Sequence, residues 1–341
     1  DNGNGIALSD AQMKDASSFT GFDFSGKAGD GRLEAWVMPE HAYPVLAWQT
    51  DITKLAWAPE VRGMSLDEAR ARLAAAGLVV SKVVRDFDSL VPVDKVVLVT
   101  PAYPVAKGTA VTVLVSEGVY DWQQNPGKGT KESPYRIGSA GQLEAMGRTS
   151  AMWSKYFVLT DSIDLTGRLY HDAVIAAYPN QGNVTFNGGL DGVGFEITGL
   201  TIASARDYVG LLGYVGSSWQ GSGEIRNVVL ADAYVLARSA TDTGSNGGAA
   251  VLAGQNSGTV ADCTCDGAVL GLRKVGGLVG RNAGTITRCM SDAAVLGKEY
   301  LGGLAGYTYS GGISLSYVTG NIEALGNNIG GLVGYVTSGT A

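Results

Sequence analysis

Toward the end of the chain, apolar and glycine positions alternate in a six-residue phrase that occurs three times: Val275-Gly276-Gly277-Leu278-Val279-Gly280, Leu301-Gly302-Gly303-Leu304-Ala305-Gly306 and Ile329-Gly330-Gly331-Leu332-Val333-Gly334. Successive copies start 26 and 28 residues apart. A period of that length marks a solenoid, in which each copy is one coil that cannot bury its apolar face alone. Two weaker copies precede, Val209-Gly210-Leu211-Leu212-Gly213 and Ala250-Val251-Leu252-Ala253-Gly254, the second displaced by a Gly-, Ser- and Thr-rich insertion around 241–248. Insertions between coils project as loops from one face. Five coils are therefore counted.

Between the phrases, Ile225, Val260, Ile286 and Ile313 each open a strand-like run after a small polar turn, and three residues later stand Val228, Cys263, Cys289 and Ser316. A short strand, a polar turn and a second short strand per repeat is the pattern of parallel strands wound around a common core. Like residues then stack on like residues, about 4.8 Å apart from coil to coil. The glycines read as corner residues, where the coil turns through positive φ and a Cβ is costly. The expected fold class is mainly β, a parallel β-helix (solenoid) running from about residue 130 to the end. Its core ladder is Leu211, Leu252, Leu278, Leu304 and Leu332.

Upstream the periodicity changes. Ser9 and Gln12 cap a short expected helix, followed by aromatic, strand-like stretches at Phe19 to Phe24, Trp36 and Tyr43 to Trp48. That is too little core for an independent domain, so residues 1–54 read as a cap or terminal coil. Residues 55–118 read as a small α+β module: a strand entry at 58–61, a helix over 65–76 and strands over 78–84, 95–100 and 110–116. Ser65 and Glu68 box the helix start, Leu66, Ala69 and Leu73 line one face, and Gly77 stops it. Residues 119–150 form a linker with a second helix over 139–146, boxed by Ser139 and Gln142. A helix is the expected cover for the open end of a β-helix. The solenoid proper is placed at 151–341, with its first strands at 157–159 and 162–165.

Fifty glycines with nine prolines would suit disorder, but 45% apolar residues and registered repeats argue for a folded, strand-rich chain. The net charge of −7 is diffuse and offers no basic stripe, which argues against nucleic-acid partners. No apolar run reaches the roughly 18 residues of a membrane-spanning helix. The first residue is Asp1, not Met, and the sequence shows no basic then apolar leader, so the expectation is a mature product or a piece of something longer.

Catalytic chemistry is thin. His41 and His171 read as surface or loop residues, and no Ser, His and Asp arrangement can be assembled around them. Cys263 is expected over Cys289 in the neighbouring coil, at a separation a disulfide can span; small buried thiols are the preferred reading, and zinc spacing is absent. Asp161, Asp164 and Asp191 read as turn and cap residues rather than the paired carboxylates of a polysaccharide-cleaving β-helix. Asp262, Asp266 and Asp292 lie on adjacent coils and could bind calcium, although solvated turn acids are the simpler reading, so no cofactor is expected. Trp48, Trp57, Trp122 and Trp153 cluster near module boundaries, where packing outweighs sugar stacking.

Two family resemblances follow from these residues. The segment from Val61-Arg62-Gly63-Met64-Ser65-Leu66 through Ala76-Gly77-Leu78, ending in Lys107-Gly108-Thr109-Ala110-Val111-Thr112-Val113-Leu114-Val115-Ser116, resembles a PASTA domain. The glycine phrases resemble the GLUG-motif β-helical repeats of bacterial surface proteins and adhesins. Tyr135-Arg136-Ile137 through Leu143, residues 162–167 and residues 186–197 are similar to the lead-in of such repeats. Residues 1–50 resemble the segment that follows the last repeat, here standing first, so the chain looks like a window across a tandem array: solenoid end, PASTA linker, solenoid start.

The resemblance implies an extracellular or cell-surface, non-enzymatic structural or adhesive protein of bacterial type, a stiff rod or filament of stacked coils. Residues 1–50 would complete the solenoid of a neighbouring copy or subunit, with Phe22, Phe24, Trp36, Trp48, Val333 and Tyr335 as the assembly interface. Self-association would run head to tail, into fibres or as tandem copies. Two alternatives remain open: a surface protein that binds peptidoglycan or other glycans, and a polysaccharide-degrading β-helix enzyme.

Overall fold

The computed structural model describes residues 36–37, 45–46, 55–101, 105–178, 183–217, 222–238 and 248–337. The chain divides into two compact units, one of residues 1–60, 70–81 and 101–111, the other of residues 61–69, 82–100 and 112–341. In the smaller unit Trp36–Val37 pairs antiparallel with Val45–Leu46, and Leu55–Ala56 with Val105–Ala106. The strand expected at 58–61 thus sits earlier, because Pro59 has no amide to donate and Val61 already accepts from Met64 in a turn. The helix expected at 9–12 lies outside the described residues.

The helix Leu66–Ala75 is nucleated as its sequence indicates. The Ser65 amide and hydroxyl both donate to the Glu68 carboxylate, at 2.8 and 2.7 Å, closing the capping box. Those hydrogen bonds hold the Glu68 carboxyl below its ordinary pKa. Ala69 and Leu73 are fully buried, and Gly77 ends the helix at φ +83°, with the Leu78 amide returning to Leu73. Three strands complete this region as a sheet, Ala110–Ser116 lying between Val79–Asp86 and Val96–Thr100.

The solenoid occupies the larger unit. One face is a seven-stranded parallel sheet made of Tyr135–Ile137, Tyr156–Leu159, Gly189–Asp191, Glu224–Arg226, Thr259–Ala261, Thr285–Thr287 and Gly312–Ser314. The register stacks Phe157, Leu190, Ile225, Val260, Ile286 and Ile313 in one column, so the chain begins winding well before the first glycine phrase. The five coils counted from the phrase are only the later windings. The stretch from Tyr135 through Phe157 to Leu190 lacks it.

Other faces follow the same order. A five-stranded sheet joins Leu212–Val215, Ala253–Asn256, Val279–Asn282, Ala305–Thr308 and Val333–Val336, and a three-stranded one joins Arg273–Gly276, Glu299–Gly302 and Ile329–Gly330. The enclosed core is a single apolar cluster running from Ile137 and Phe157 to Leu304 and Ala305. At its start the helix Ala140–Arg148 inserts Leu143 and Met146, both fully buried, over the first windings. Asp86 caps this helix by accepting from the Ser139 hydroxyl at 2.6 Å and the Gly141 amide at 2.7 Å. Arg168, itself buried, lies 3.5 Å from Asp86 and 3.4 Å from Glu144, so these charges are paired where water is scarce.

The phrase glycines do not turn corners. Positive φ falls instead on Asn227, Asp262, Arg288 and Leu315 at one corner, on Tyr208, Lys274, Tyr300 and Asn328 at another, and on glycines outside the phrase such as Gly199, Gly216 and Gly311. Glycine is required in the phrase because adjacent segments pass too close for a side chain. A Cβ on Gly276 would lie 2.0 Å from the Val279 carbonyl oxygen, and one on Gly306 2.4 Å from the Lys274 carbonyl carbon. The correction is one of cause: crowding between strands, not backbone conformation.

Candidate stacking face

The phrase leucines form one column in the later windings. The amide of Leu211 donates to Val251, Leu252 to Leu278, Leu278 to Leu304 and Leu304 to Leu332, at 3.0 to 3.2 Å. Leu211, Leu252, Leu278 and Leu304 are completely shielded from solvent. Leu332, at the same position of the last described winding, is 45% exposed, and Ile329 beside it 48%. Val333 pairs with Ala305 in register and is half-buried, whereas Ala305 and Val279 are fully buried.

On the outer side of the same strands, the residue after the phrase builds a second column: Tyr214, Gln255, Arg281, Tyr307 and Tyr335. The rings of Tyr307 and Tyr335 stack at 5.6 Å and 17°, the Arg281 guanidinium lies 5.9 Å from the Tyr307 ring, and Arg281 also donates to Gln255 at 3.1 Å. Gln255 in turn donates to the Tyr309 hydroxyl at 2.8 Å. Lys274, at a neighbouring corner, reaches over Tyr307 at 5.4 Å. Burial, then the nearby Arg281 and Arg273, bring the Lys274 ammonium pKa down to about 8. Position-by-position comparison of the residue following each glycine phrase would have revealed this column.

A third column is buried and polar. Asn256 donates through Nδ2 to Asn282 Oδ1 at 2.9 Å, and each side-chain oxygen also accepts the amide two residues on, from Gly258 and Gly284. These asparagines take the place that hydrophobic residues hold elsewhere because they close the turn as well as the stack. The sequence reading missed them.

The remaining candidates are dispersed. Phe22, Phe24 and Trp48 lie outside the described residues, as does His41; Trp36 lies in the short antiparallel pair described above. Tyr335 is 39% exposed on the last winding. Cys263, Cys265 and Cys289 are free, buried thiols, and burial pushes Cys265 up to about 12. Asp262 is gripped by Arg288 through two contacts of 2.7 Å, Asp266 accepts the Asp232 amide, and Asp292 accepts the Thr319 hydroxyl. Among the described residues no three acidic, histidine or cysteine side chains gather as a metal site. Asp161 and Asp164 accept nearby amides, Asp191 is held by Arg226 and Asn227, and His171 faces the Ala203 carbonyl at 3.3 Å. Trp122 packs edge-on against Tyr120 and Phe157, and the Trp153 indole donates to Met146. Among the described residues no helix is long and apolar enough to cross a membrane.

Known proteins share parts of this chain. Residues 58–117 match the PASTA domain family model. A protein named "Halomucin" from Haloquadratum walsbyi is 32% identical over 190 residues, 54% of this chain and 2% of that protein. A "Putative Gly-rich membrane protein" from Evansella cellulosilytica is 33% identical over 117 residues, 33% of this chain and 13% of that protein. A solved structure titled as a putative immunoglobulin A1 protease from Bacteroides ovatus aligns with a TM-score of 0.46 at 22% identity, covering 62% of this chain and 64% of the other. The chain thus spans only a small part of the length of the curated relatives it matches, and it is itself a β-solenoid carrying a PASTA domain.

Proposed function

We propose that this chain is part of an extracellular, non-enzymatic structural or adhesive rod, built from GLUG-type windings and spaced by its PASTA domain. Residues 1–50 would close the solenoid of a neighbouring copy, either along one polypeptide or between subunits. The observation that carries the reading is the in-register leucine column, in which Leu211, Leu252, Leu278 and Leu304 are buried one winding over the next. The names of the two relatives, a halomucin and a membrane protein, support a place at the cell surface. Electron microscopy of the purified chain tests the reading: head-to-tail fibres with an axial repeat near one unit's length are expected, and discrete monomers at high concentration would remove assembly between chains.

A second reading, cell-wall binding, is favoured by the PASTA match over residues 58–117. Co-sedimentation with insoluble peptidoglycan, lost on deleting those residues, would establish it.

A further inference from the structure

One strip of the solenoid's outer surface breaks the inside-outside alternation of its strands. Val235, Val269 and Val295 are fully buried, so the residue after each points outward, where a polar side chain is expected. The outward residues are instead Leu236, Leu270 and Leu296, paired in register from winding to winding and half-buried. All three belong to interior windings, since Ala203 precedes them in the column and Glu323 follows.

These leucines line a groove of about 900 Å³, together with Leu272, which is 44% exposed, and with Gly271 and Gly297, which add no side chain. Its charges are unevenly placed. Arg238 lies on the winding of Leu236, Lys298 on that of Leu296, and Glu323 one winding further on. The backbone along the groove is already engaged: the Gly271 amide donates to Leu296 O, Lys298 to Leu272 O and Leu325 to Gly297 O, each at 3.0 Å. A peptide docking by strand addition needs open backbone groups, whereas a hydrocarbon needs none. From Leu236 to Glu323 the column takes steps of about 4.8 Å and spans roughly 14 Å. An extended hydrocarbon, advancing about 1.3 Å per C–C bond, covers that length with roughly eleven bonds.

We infer that this groove binds one unbranched aliphatic chain ending in a carboxylate, a free fatty acid of about twelve carbons. The carboxylate meets the Arg238 guanidinium, and the tail runs over Leu270 and Leu296. Lys298 adds positive charge partway along, and the Glu323 carboxylate opposes the reverse orientation. A single leucine column suits one chain rather than the paired chains of a bilayer lipid.

The test is titration of the full chain with dodecanoate below its micelle concentration, followed through the methyl resonances of labelled leucines. Saturable one-to-one binding is expected, moving Leu236, Leu270 and Leu296 and leaving the core methyls of Leu211 and Leu278 in place. Octanoate should bind about tenfold more weakly, because fewer methylenes enter the groove. Dodecyltrimethylammonium, the same chain with a cationic head, should also lose about tenfold, since Arg238 then repels it. Leu270→Gln, on the outer face, should weaken dodecanoate by about tenfold without moving the melting curve, and Leu296→Gln repeats the measurement on another winding. The inference is overturned by absence of saturable binding, by shifts in the core leucines alone, by equal affinity for the two head groups, or by wild-type affinity in a folded glutamine variant. Binding of dioleoyl phosphatidylglycerol vesicles but not of dodecanoate would assign the strip to a bilayer. A mass that doubles with concentration, and stays monomeric in Leu270→Gln, would assign it to a second copy. Dodecanoate binding only after deletion of residues 239–247 would assign it to that insertion, and each of these three results overturns the choice of ligand.

Discussion

The windings around Leu304 and Leu332 carry nearly the same phrase, Leu-Gly-Gly-Leu-Ala-Gly and Ile-Gly-Gly-Leu-Val-Gly, yet the first leucine is sealed in the core and the second is 45% exposed. The sequence of one winding therefore does not determine its burial; the neighbour on each side does. Stability in such a stack is a sum of windings and of the interfaces between them. An interior leucine contributes to two interfaces and a terminal one to a single interface.

Leu304→Asp breaks that comparison hardest. It places a carboxylate in a dry column and should cost more than about 4 kcal/mol, unravelling the C-terminal windings, whereas Leu332→Asp should stay within about 1 kcal/mol. Urea unfolding and far-ultraviolet circular dichroism of the two variants distinguish them, and equal losses would refute the proposed asymmetry. Next in size is Asn282→Ala, which strips the acceptor from Asn256 Nδ2 and from the Gly284 amide. It should cost about 1–3 kcal/mol, read from the urea midpoint.

A pH effect sharpens the outer column. Lys274 is held at about 8, below its unfolded value, so its burial opposes folding in full below that pH, and the opposition is relieved as pH rises toward 10. Cys265, raised to about 12 by burial, works the other way, since the unfolded thiol ionises first. The informative quantity is thus the difference between wild type and Lys274→Met: the gain from the substitution should be largest below pH 8 and shrink by pH 10. A constant difference would mean that the lysine is not desolvated. The smallest effect is expected at Leu315, a leucine at φ 51° and 79% exposed, where Leu315→Asn should stabilise by about 0.5–1 kcal/mol in a thermal melt.

The parallel β-solenoid and the leucine register were legible because a strict period places equivalent apolar residues on equivalent strands. The earliest windings were harder to count, since the chain from Tyr135 through Phe157 to Leu190 carries no copy of the phrase. The corner reading holds for glycines such as Gly216 and Gly311 but not for those of the phrase, because crowding between strands and a left-handed corner both select glycine and a single sequence does not separate them. Other corners are held by residues such as Asn227, Asp262 and Arg288. The columns through Asn256 and Asn282 and through Arg281 and Tyr307 change residue type along their length, to Val215 and Thr308 in the one and to Gln255 in the other, so the repeated asparagine or tyrosine covers only some windings.

Residue-resolved amide hydrogen exchange along Leu252, Leu278, Leu304 and Leu332 tests the shared register most directly. Each of the first three amides donates to a carbonyl of the following winding and should be strongly protected, whereas Leu332 should exchange near the rate of an open amide. Equal rates at Leu304 and Leu332, or fast exchange at Leu278, would show that these leucines do not belong to one continuous stack.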